Sequence, residues 1–246
     1  MVGPNGSSKK VMAELAALGS PQKAEHSARF FKTGSGQYGE GDKFIGVKVP
    51  EQRAIAKRHG TLPLSETDKL LASPIHEHRL TGLLILVDQF AKNHENPSRR
   101  EILDFYLARL HRANNWDLVD LSAPKILGDH LLRHPQERAI LSRLAKSGNL
   151  WLRRVAVLAT LPMIRTGQFD EMLTLAEKLL ADPHDLMHKA VGWMLREIGK
   201  VDLAVLEDFL EGHAATMPRT MLRYAIEHMT PARRRHFMDQ AAALVR

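Results

Sequence analysis

Helical segments of similar composition recur at a regular interval along this 246-residue chain. Basic residues near the starts of three of them, Arg154, Lys189 and Arg223, lie 35 and 34 positions apart. A period of this length is typical of stacked helix pairs of the HEAT or TPR size class, in which one helix of each pair lines a concave surface. The sequence therefore predicts an all-α, HEAT-like helical-repeat solenoid.

The repeat consists of segments dense in Leu, Val, Ala or Met, separated by partner helices, and no equally long segment alternates with the period of two that a strand needs. Pro and Gly at the breaks between segments mark the ends of helices. The main segments are Ile75 to Phe90, Leu150 to Leu161, Leu186 to Ile198 and Met217 to Met229, and the partners are Gln136 to Lys146, Phe169 to Ala181 and Leu203 to Gly212.

The length and a hydrophobic content of 44% are sufficient for a substantial core, and we expect a single helical-repeat domain over residues 11–246. Residues 1–10 begin with small and polar side chains and are expected to form a flexible tail. The chain has no cysteine, which excludes disulfides and thiol catalysis. No segment has the apolar length of a membrane span or a signal peptide, so a cytoplasmic monomer without a membrane partner is expected.

The charge balance is basic, with 35 Lys and Arg against 28 Asp and Glu, a net charge of +7 and a pI of about 9.7. This composition permits binding to nucleic acid or another polyanion but does not require it, because many basic proteins bind neither.

The stretch Asn115-Trp-Asp-Leu-Val-Asp120 sets an indole and a carboxylate four residues apart, on one face of a helix that begins near Trp116. Unpaired backbone N–H groups at a helix start favour carboxylates. This pairing suits the recognition or generation of a cation, although a core tryptophan beside a solvated aspartate fits the same pattern. Pro124 predicts a kink or break farther along the helix.

On the segment from Leu186, the residues Lys189, Trp193 and Arg196 share one stripe, whereas Val191, Leu195 and Ile198 form a second, buried one. Trp193 then lies between two cations on the polar side, unless its ring packs under a loop. Arg154 lies 38 residues after Trp116 and 39 before Trp193, so the three side chains are expected to converge across one groove. Periodicity alone does not separate Arg154 from Arg153.

Three other motifs do not support a function. Gly34-Ser-Gly-Gln-Tyr-Gly39 has the letters of a dinucleotide-binding loop but follows a helical pattern instead of a strand. His76-Glu77-His78 lacks the second histidine at the spacing of a metalloprotease helix. The serine nucleophile motif Gly-x-Ser-x-Gly is absent. Neither a metal nor a cofactor is expected.

Four blocks of the sequence resemble the AlkD-like DNA alkylation repair family, and the resemblance extends from about residue 20 to 230. They are Phe44-Ile-Gly-Val-Lys-Val-Pro-Glu-Gln-Arg53, Asn114-Asn-Trp-Asp-Leu-Val-Asp120, Leu150-Trp-Leu-Arg-Arg-Val-Ala156 and Lys189-Ala-Val-Gly-Trp-Met-Leu-Arg-Glu197. The resemblance implies a DNA glycosylase of base excision repair, a hydrolase whose HEAT-like repeats wrap duplex DNA. Its substrates would be positively charged alkylated purines, chiefly N7-alkylguanine and N3-alkyladenine.

The resemblance also implies roles for particular residues. Trp116 and Trp193 would be the aromatic side chains of the groove and Asp120 the catalytic carboxylate. Arg154 would be the basic partner, and Phe30, where some relatives have a tyrosine, would contact DNA. From their charge and place on the groove, Arg154, Lys189 and Arg196 are expected to contact phosphates. The alternative is a non-catalytic helical-repeat module that binds nucleic acid or an acidic protein partner. Such a module has no need of Asp120, because a carboxylate in an electropositive groove weakens phosphate binding.

Overall fold

A computed structural model of the chain describes residues 6–93 and 98–243. Within these ranges the regular secondary structure is helical and no strand is present, which confirms the all-α prediction. One isolated parallel bridge joins Lys43 to Ile75. The chain divides between Ile126 and Leu127 into two compact units.

The first unit is organised around one long helix, α5. Its helices are α1 (Ser8–Ala17), α2 (Pro21–Phe30), α3 (Val49–Arg58), α4 (Leu64–Leu71), α5 (His76–Lys92), α6 (Ser98–Ala108) and α7 (Trp116–Ser122). Helix α5 packs against α3, α4, α6 and α7, and it buries apolar residues such as Ile85, Leu86 and Phe90 completely. A helix covered on most sides needs few polar faces, which explains the high Leu content of this segment.

The loop between α2 and α3 is fixed by a buried carboxylate from α5. Glu77, which is 2% exposed, accepts hydrogen bonds from the backbone N–H of Ile45 at 3.1 Å and of Gly46 at 2.7 Å. Gly46 has a φ of +81°, and a Cβ there would collide with the backbone oxygen of Ser20. Only glycine tolerates both conditions. The loop that carries Phe44 therefore has a defined path.

The second unit is organised around α13 in the same way. Its helices are α8 (Asp129–Arg133), α9 (Ala139–Ala145), α10 (Leu150–Leu158), α11 (Leu161–Arg165), α12 (Asp170–Lys178), α13 (Asp185–Val201), α14 (Leu203–His213), α15 (Arg219–Ala225) and α16 (Pro231–Ala243). Helix α13 packs against α10, α11, α12, α14 and α15. The predicted buried stripe is confirmed, since Val191, Leu195 and Ile198 are all fully buried.

Proline accounts for two of the differences between predicted and observed helix bounds. The segment predicted from Leu150 to Leu161 stops at Leu158, and Pro162 lies in the first turn of the next helix. Pro218 is the N-cap of α15, which starts later than predicted. The predicted break at Pro124 is confirmed, because α7 ends at Ser122 and a π-helical turn spans Pro124–Gly128.

The predicted N-terminal tail falls partly outside the described residues, which begin at residue 6. Helix α1 starts at Ser8, with Ser7 as its N-cap, so residues 8–10 are helical. The backbone N–H and the hydroxyl of Ser8 both donate to the carboxylate of Glu66, at 2.8 and 2.7 Å. The single domain over residues 11–246 stays a prediction. No helix in the described ranges is long and apolar enough to cross a membrane.

Candidate active site

The start of α7 carries Trp116 and Asp120, and both side chains are half-buried. Asn115, which is fully buried, is the N-cap, and its side-chain oxygen accepts from the backbone N–H of Trp116 at 2.9 Å. The predicted helix start is therefore confirmed. Because Asp120 follows Trp116 by four residues on the same helix, the indole and the carboxylate are neighbours on one face.

Trp116 packs against aromatic rings from the end of α2 and the loop that follows it. Its indole stacks on Phe31 with ring centroids 5.2 Å apart and planes inclined by 17°. Phe30 meets it edge to face at 6.0 Å and is itself 59% exposed. Phe31 also stacks on Phe44 at 5.1 Å. Trp116 thus lies on an aromatic cluster while part of its ring remains accessible to solvent.

A buried charged network lies beside this cluster. The Nδ1 of His76 is 2.9 Å from Asp42 and its Nε2 is 2.8 Å from Asp117, so the ring bridges two carboxylates. Arg79 forms an ion pair with Asp42 and donates to the backbone oxygen of Ser73 at 2.9 Å. The side chains of His76 and Asp42 are each 2% exposed.

The network changes the protonation of its members. Burial alone lowers the pKa of His76, but the hydrogen bonds and charges of Asp117 and Asp42 outweigh it and raise the pKa to about 9. Burial likewise opposes ionisation of Asp42, but the hydrogen bond with His76 and the charge of Arg79 bring its pKa below the ordinary value. His76 is therefore an imidazolium at neutral pH, next to the helix that carries Asp120.

In the second unit, Trp193 lies half-buried on α13, and its indole N–H donates to the carboxylate of Glu197 at 3.0 Å. Lys200 forms an ion pair with the same carboxylate at 2.6 Å. Burial raises the pKa of Glu197, but the hydrogen bonds from Lys200 and Trp193 outweigh it and the pKa is lowered. The hydrogen-bond partner of Trp193 is therefore an anion, which the stripe of Lys189, Trp193 and Arg196 did not predict.

The three predicted phosphate-binding cations all have partners within this unit. Lys189 pairs with Asp185 at 2.7 Å, and its side chain is 38% exposed. Arg196 forms an ion pair with Glu227 and is less exposed, at 16%. Arg154 is only 5% exposed and donates to the backbone oxygen of Leu186 at 2.6 Å.

Arg153, which the repeat did not distinguish from Arg154, has a clear structural role. Its guanidinium pairs with Asp182 at 2.6 Å and donates to the backbone oxygen of Ser147 at 3.0 Å. The pair with Asp182 joins the start of α10 to the turn before α13, and the bond to Ser147 is local to the turn before α10. The proposed convergence of Trp116, Arg154 and Trp193 across one groove stays a prediction.

Comparison with known proteins identifies the family. A family model described as DNA alkylation repair enzyme matches residues 11–229. The chain belongs to this family. A solved structure titled as a predicted DNA alkylation repair enzyme from Enterococcus faecalis has the same fold, with a TM-score of 0.71 and 19% identity over 87% of this chain and 97% of that one. No match was found among curated proteins.

Membership of the DNA alkylation repair family confirms the resemblance carried by the four sequence blocks. It also supports a role in DNA repair with DNA as the substrate. In residues 6–93 and 98–243, no group of three or more His, Asp or Glu side chains is placed to hold a metal ion.

Several residues around Trp116 in this family member were not predicted. In the sequence, His76 stands out only as part of the histidine pair His76-Glu77-His78, and Asp117 only as a neighbour of Trp116. The contacts of Asp42 with His76 and Asn115 span 34 and 73 residues of sequence, and no local pattern reports such pairs. The sequence feature that pointed to this part of the site was Phe44, which begins the first block that resembles the family.

Proposed function

We propose that this member of the DNA alkylation repair family is a monofunctional DNA glycosylase that acts as a cytoplasmic monomer without a cofactor. It hydrolyses the N-glycosidic bond of N7-alkylguanine and N3-alkyladenine in duplex DNA and so begins base excision repair. The observation that carries the proposal is the pairing of Trp116 and Asp120, both half-buried, one helical turn apart at the start of α7.

The chemistry explains why one carboxylate is enough. An alkylated purine carries a positive charge and leaves as a neutral base, so no general acid is needed to protonate it. As the bond to C1′ breaks, the deoxyribose gains oxocarbenium character, which a nearby carboxylate stabilises. Water then adds its oxygen to C1′ and loses a proton to the surrounding water, and the product is an abasic site. Asp120 has the charge to stabilise the cation and to orient this water.

The aromatic residues are proposed to stabilise the cationic sugar or base as well. The electron-rich faces of Trp116 and Trp193 favour a cationic sugar or base, by about 1 kcal/mol or more for each contact that excludes water. Phe31 covers one face of Trp116 and fixes the plane of the ring. The exposed ring of Phe30 provides an apolar contact for the DNA without reading its sequence.

The basic residues of the second unit are proposed to contact phosphates, which set the register of a protein on DNA. Lys189 is the most accessible of them, and its pair with Asp185 is of the exposed i,i+4 kind that contributes little to stability. A phosphate can replace that partner at small cost. Arg154 and Arg196 are more deeply placed, so their phosphate contacts require rearrangement of their present partners.

The test is incubation with duplex DNA that contains one N7-methylguanine, followed by mass spectrometry of the free base. Asp120→Asn keeps the shape of the side chain but not its charge, so excision should fall by roughly 10²-fold or more, while duplex binding is retained or tightened. Asp104→Asn on α6 removes a charge from an exposed aspartate of the same unit and should leave excision unchanged.

A wild-type protein that binds the duplex but releases no base above the uncatalysed rate would contradict the proposal. That result would favour the alternative, a non-catalytic helical-repeat module that binds nucleic acid. Equal excision by the wild type and Asp120→Asn would remove Asp120 from the catalytic role and leave the enzyme class intact.

A further inference from the structure

We propose that His76 is a positioning residue for the reaction, one that fixes the start of α7 and with it Trp116 and Asp120. The inference rests on the proposed glycosylase function, to which it adds a residue. Its basis is the pair of hydrogen bonds that His76 makes, one to Asp42 in the loop after α2 and one to Asp117 in the first turn of α7.

Helix α7 needs such outside contacts because it is short. It has seven residues, and an isolated helix of that length does not persist in water. Its direction is therefore set by tertiary contacts at its first turn. Asp117 lies between Trp116 and Asp120 in sequence, so the bond from His76 acts on the turn that joins them.

A second route reaches the same turn through Asp42. The carboxylate of Asp42 accepts from the side-chain nitrogen of Asn115 at 3.2 Å, and Asn115 caps the backbone N–H of Trp116. His76 and Arg79 in turn hold Asp42 from α5. Two linked paths thus run from α5 to the first turn of α7, and His76 belongs to both.

Charge balance requires a cation at position 76. Asp42 and Asp117 bring two carboxylates to a place where the side chain of Asp42 is 2% and that of Asp117 16% exposed. With His76 protonated, its charge and that of Arg79 match the two carboxylates. A neutral residue would leave Asp117, whose side chain is 16% exposed, without a counter-charge, a costly arrangement that favours movement of α7.

The histidine ring also contacts the aromatic cluster beneath Trp116. It stacks on Phe44 with centroids 4.7 Å apart and lies 4.9 Å from Phe31, which in turn stacks on Trp116. A cation over aromatic rings is attracted by their electron-rich faces. His76 therefore contacts the ring that supports the indole as well as the turn that bears it.

The test compares His76→Gln with a matched control, His59→Gln. His59 is also buried, at 5% exposure, and its Nε2 lies 3.0 Å from the carboxylate of Glu14, but it contacts neither α7 nor the aromatic cluster in any hydrogen bond or ring pair described. Single-turnover excision of N7-methylguanine is measured with enzyme in excess, at a temperature where both variants are folded. Affinity for undamaged duplex DNA is measured in parallel.

His76→Gln should lower the excision rate constant roughly 10- to 100-fold, because displacement of a reacting group by about 1 Å has effects of this size. Its affinity for undamaged duplex should change by less than about twofold, since binding of this kind depends on phosphate contacts. His59→Gln should leave both quantities unchanged. Equal rate constants for the two variants would overturn the proposal.

A readout that does not require activity separates this inference from the function on which it rests. The chain has three tryptophans, so ¹⁵N-labelled protein gives three indole N–H signals that Trp→Phe variants assign. His76→Gln should shift the Trp116 signal and leave Trp151 and Trp193 in place. If the wild type excises no base but this shift occurs, the glycosylase function fails and the positioning of Trp116 stands. An unmoved signal contradicts the positioning itself.

Asp117→Asn provides a second variant in case His76→Gln does not fold. In the wild type, Asp117 accepts a hydrogen bond from the backbone N–H of Leu118 at 2.9 Å. The amide of the variant keeps an oxygen for this hydrogen bond but removes the charge that pairs with His76. It should reduce excision and shift the Trp116 signal in the same direction. Retention of both wild-type values by this variant would also overturn the proposal.

Discussion

The indole of Trp116 and the phenyl ring of Phe31 are stacked, with ring centroids 5.2 Å apart and planes inclined by 17°. Phe31 is the C-cap of α2, and the next residue, Lys32, has a φ of 52° that turns the chain into the loop. The ring on which the tryptophan rests is therefore placed by a helix end. The proposed active site depends on a turn as well as on α7.

Replacing Phe31 tests this dependence. Phe31→Leu keeps an apolar side chain but removes the stacked ring, and an aromatic pair is worth about 0.5–1.5 kcal/mol beyond the area it buries. We expect a loss of about 1 kcal/mol in unfolding free energy and a several-fold lower excision rate, measured by urea titration and single-turnover assay. Phe209→Leu, which removes a ring packed on His213 in the second unit, should destabilise without slowing excision.

The repeat architecture could be predicted from the sequence because each helix carries its own signal. The segment predicted over Leu186 to Ile198 corresponds to α13, and its buried stripe follows from spacing alone. The start of α7 was predicted for the same reason, since Asn115 and Trp116 are adjacent. Such features are local in sequence, and local patterns report them.

The polar partners of the proposed site could not be predicted in this way. Asp42 reaches His76, and Arg196 reaches Glu227, through tertiary packing that a periodic pattern does not describe. Trp193 and Glu197 are the instructive exception, because they are four residues apart on one helix. The sequence could have predicted this contact, because side chains four residues apart on a helix are neighbours.

His76 predicts a particular dependence of stability on pH. Its folded pKa of about 9 is above the ordinary 6.5, so its contribution is complete below pH 6.5 and is lost as pH rises through 9. The shift corresponds to about 3 kcal/mol, at about 1.4 kcal/mol for each pKa unit. Asp42, Asp117 and Arg79 are the charged groups that face the ring.

Urea titrations of the wild type and His76→Gln at pH 6, 7.5 and 9.5 measure this contribution, because other titrating groups cancel in the difference. The wild type should be the more stable protein at pH 6, and its advantage should shrink toward pH 9.5. A constant difference across the range would show that His76 does not carry the charge.

Lys189 and Arg154 should respond differently to alanine. Lys189→Ala should reduce the dependence of log affinity on log salt by about 1, the effect of one lost phosphate contact, with unchanged stability. Arg154→Ala should also cost about 1–3 kcal/mol of stability, because the backbone oxygen of Leu186 loses its donor. Affinities are measured on undamaged duplex at several salt concentrations, and Lys9→Ala on α1 is the surface control. A salt slope unchanged by Arg154→Ala would limit that residue to a structural role.

Substitutions of Trp193 can separate the contribution of the indole face from that of the indole N–H. Trp193→Phe keeps an aromatic face but gives up the hydrogen bond to Glu197, which retains its ion pair with Lys200. Because the proposed role uses the face, Trp193→Phe should keep most of the excision activity. Trp193→Ala should lower both excision and duplex affinity by roughly tenfold or more, since an aromatic contact to a nucleotide is worth about 1–3 kcal/mol. Trp151→Phe, at a tryptophan that is 8% exposed in the same unit, controls for the loss of indole volume. If Trp193→Phe loses as much activity as Trp193→Ala, the hydrogen bond to Glu197, and not the ring face, is the feature that the reaction requires.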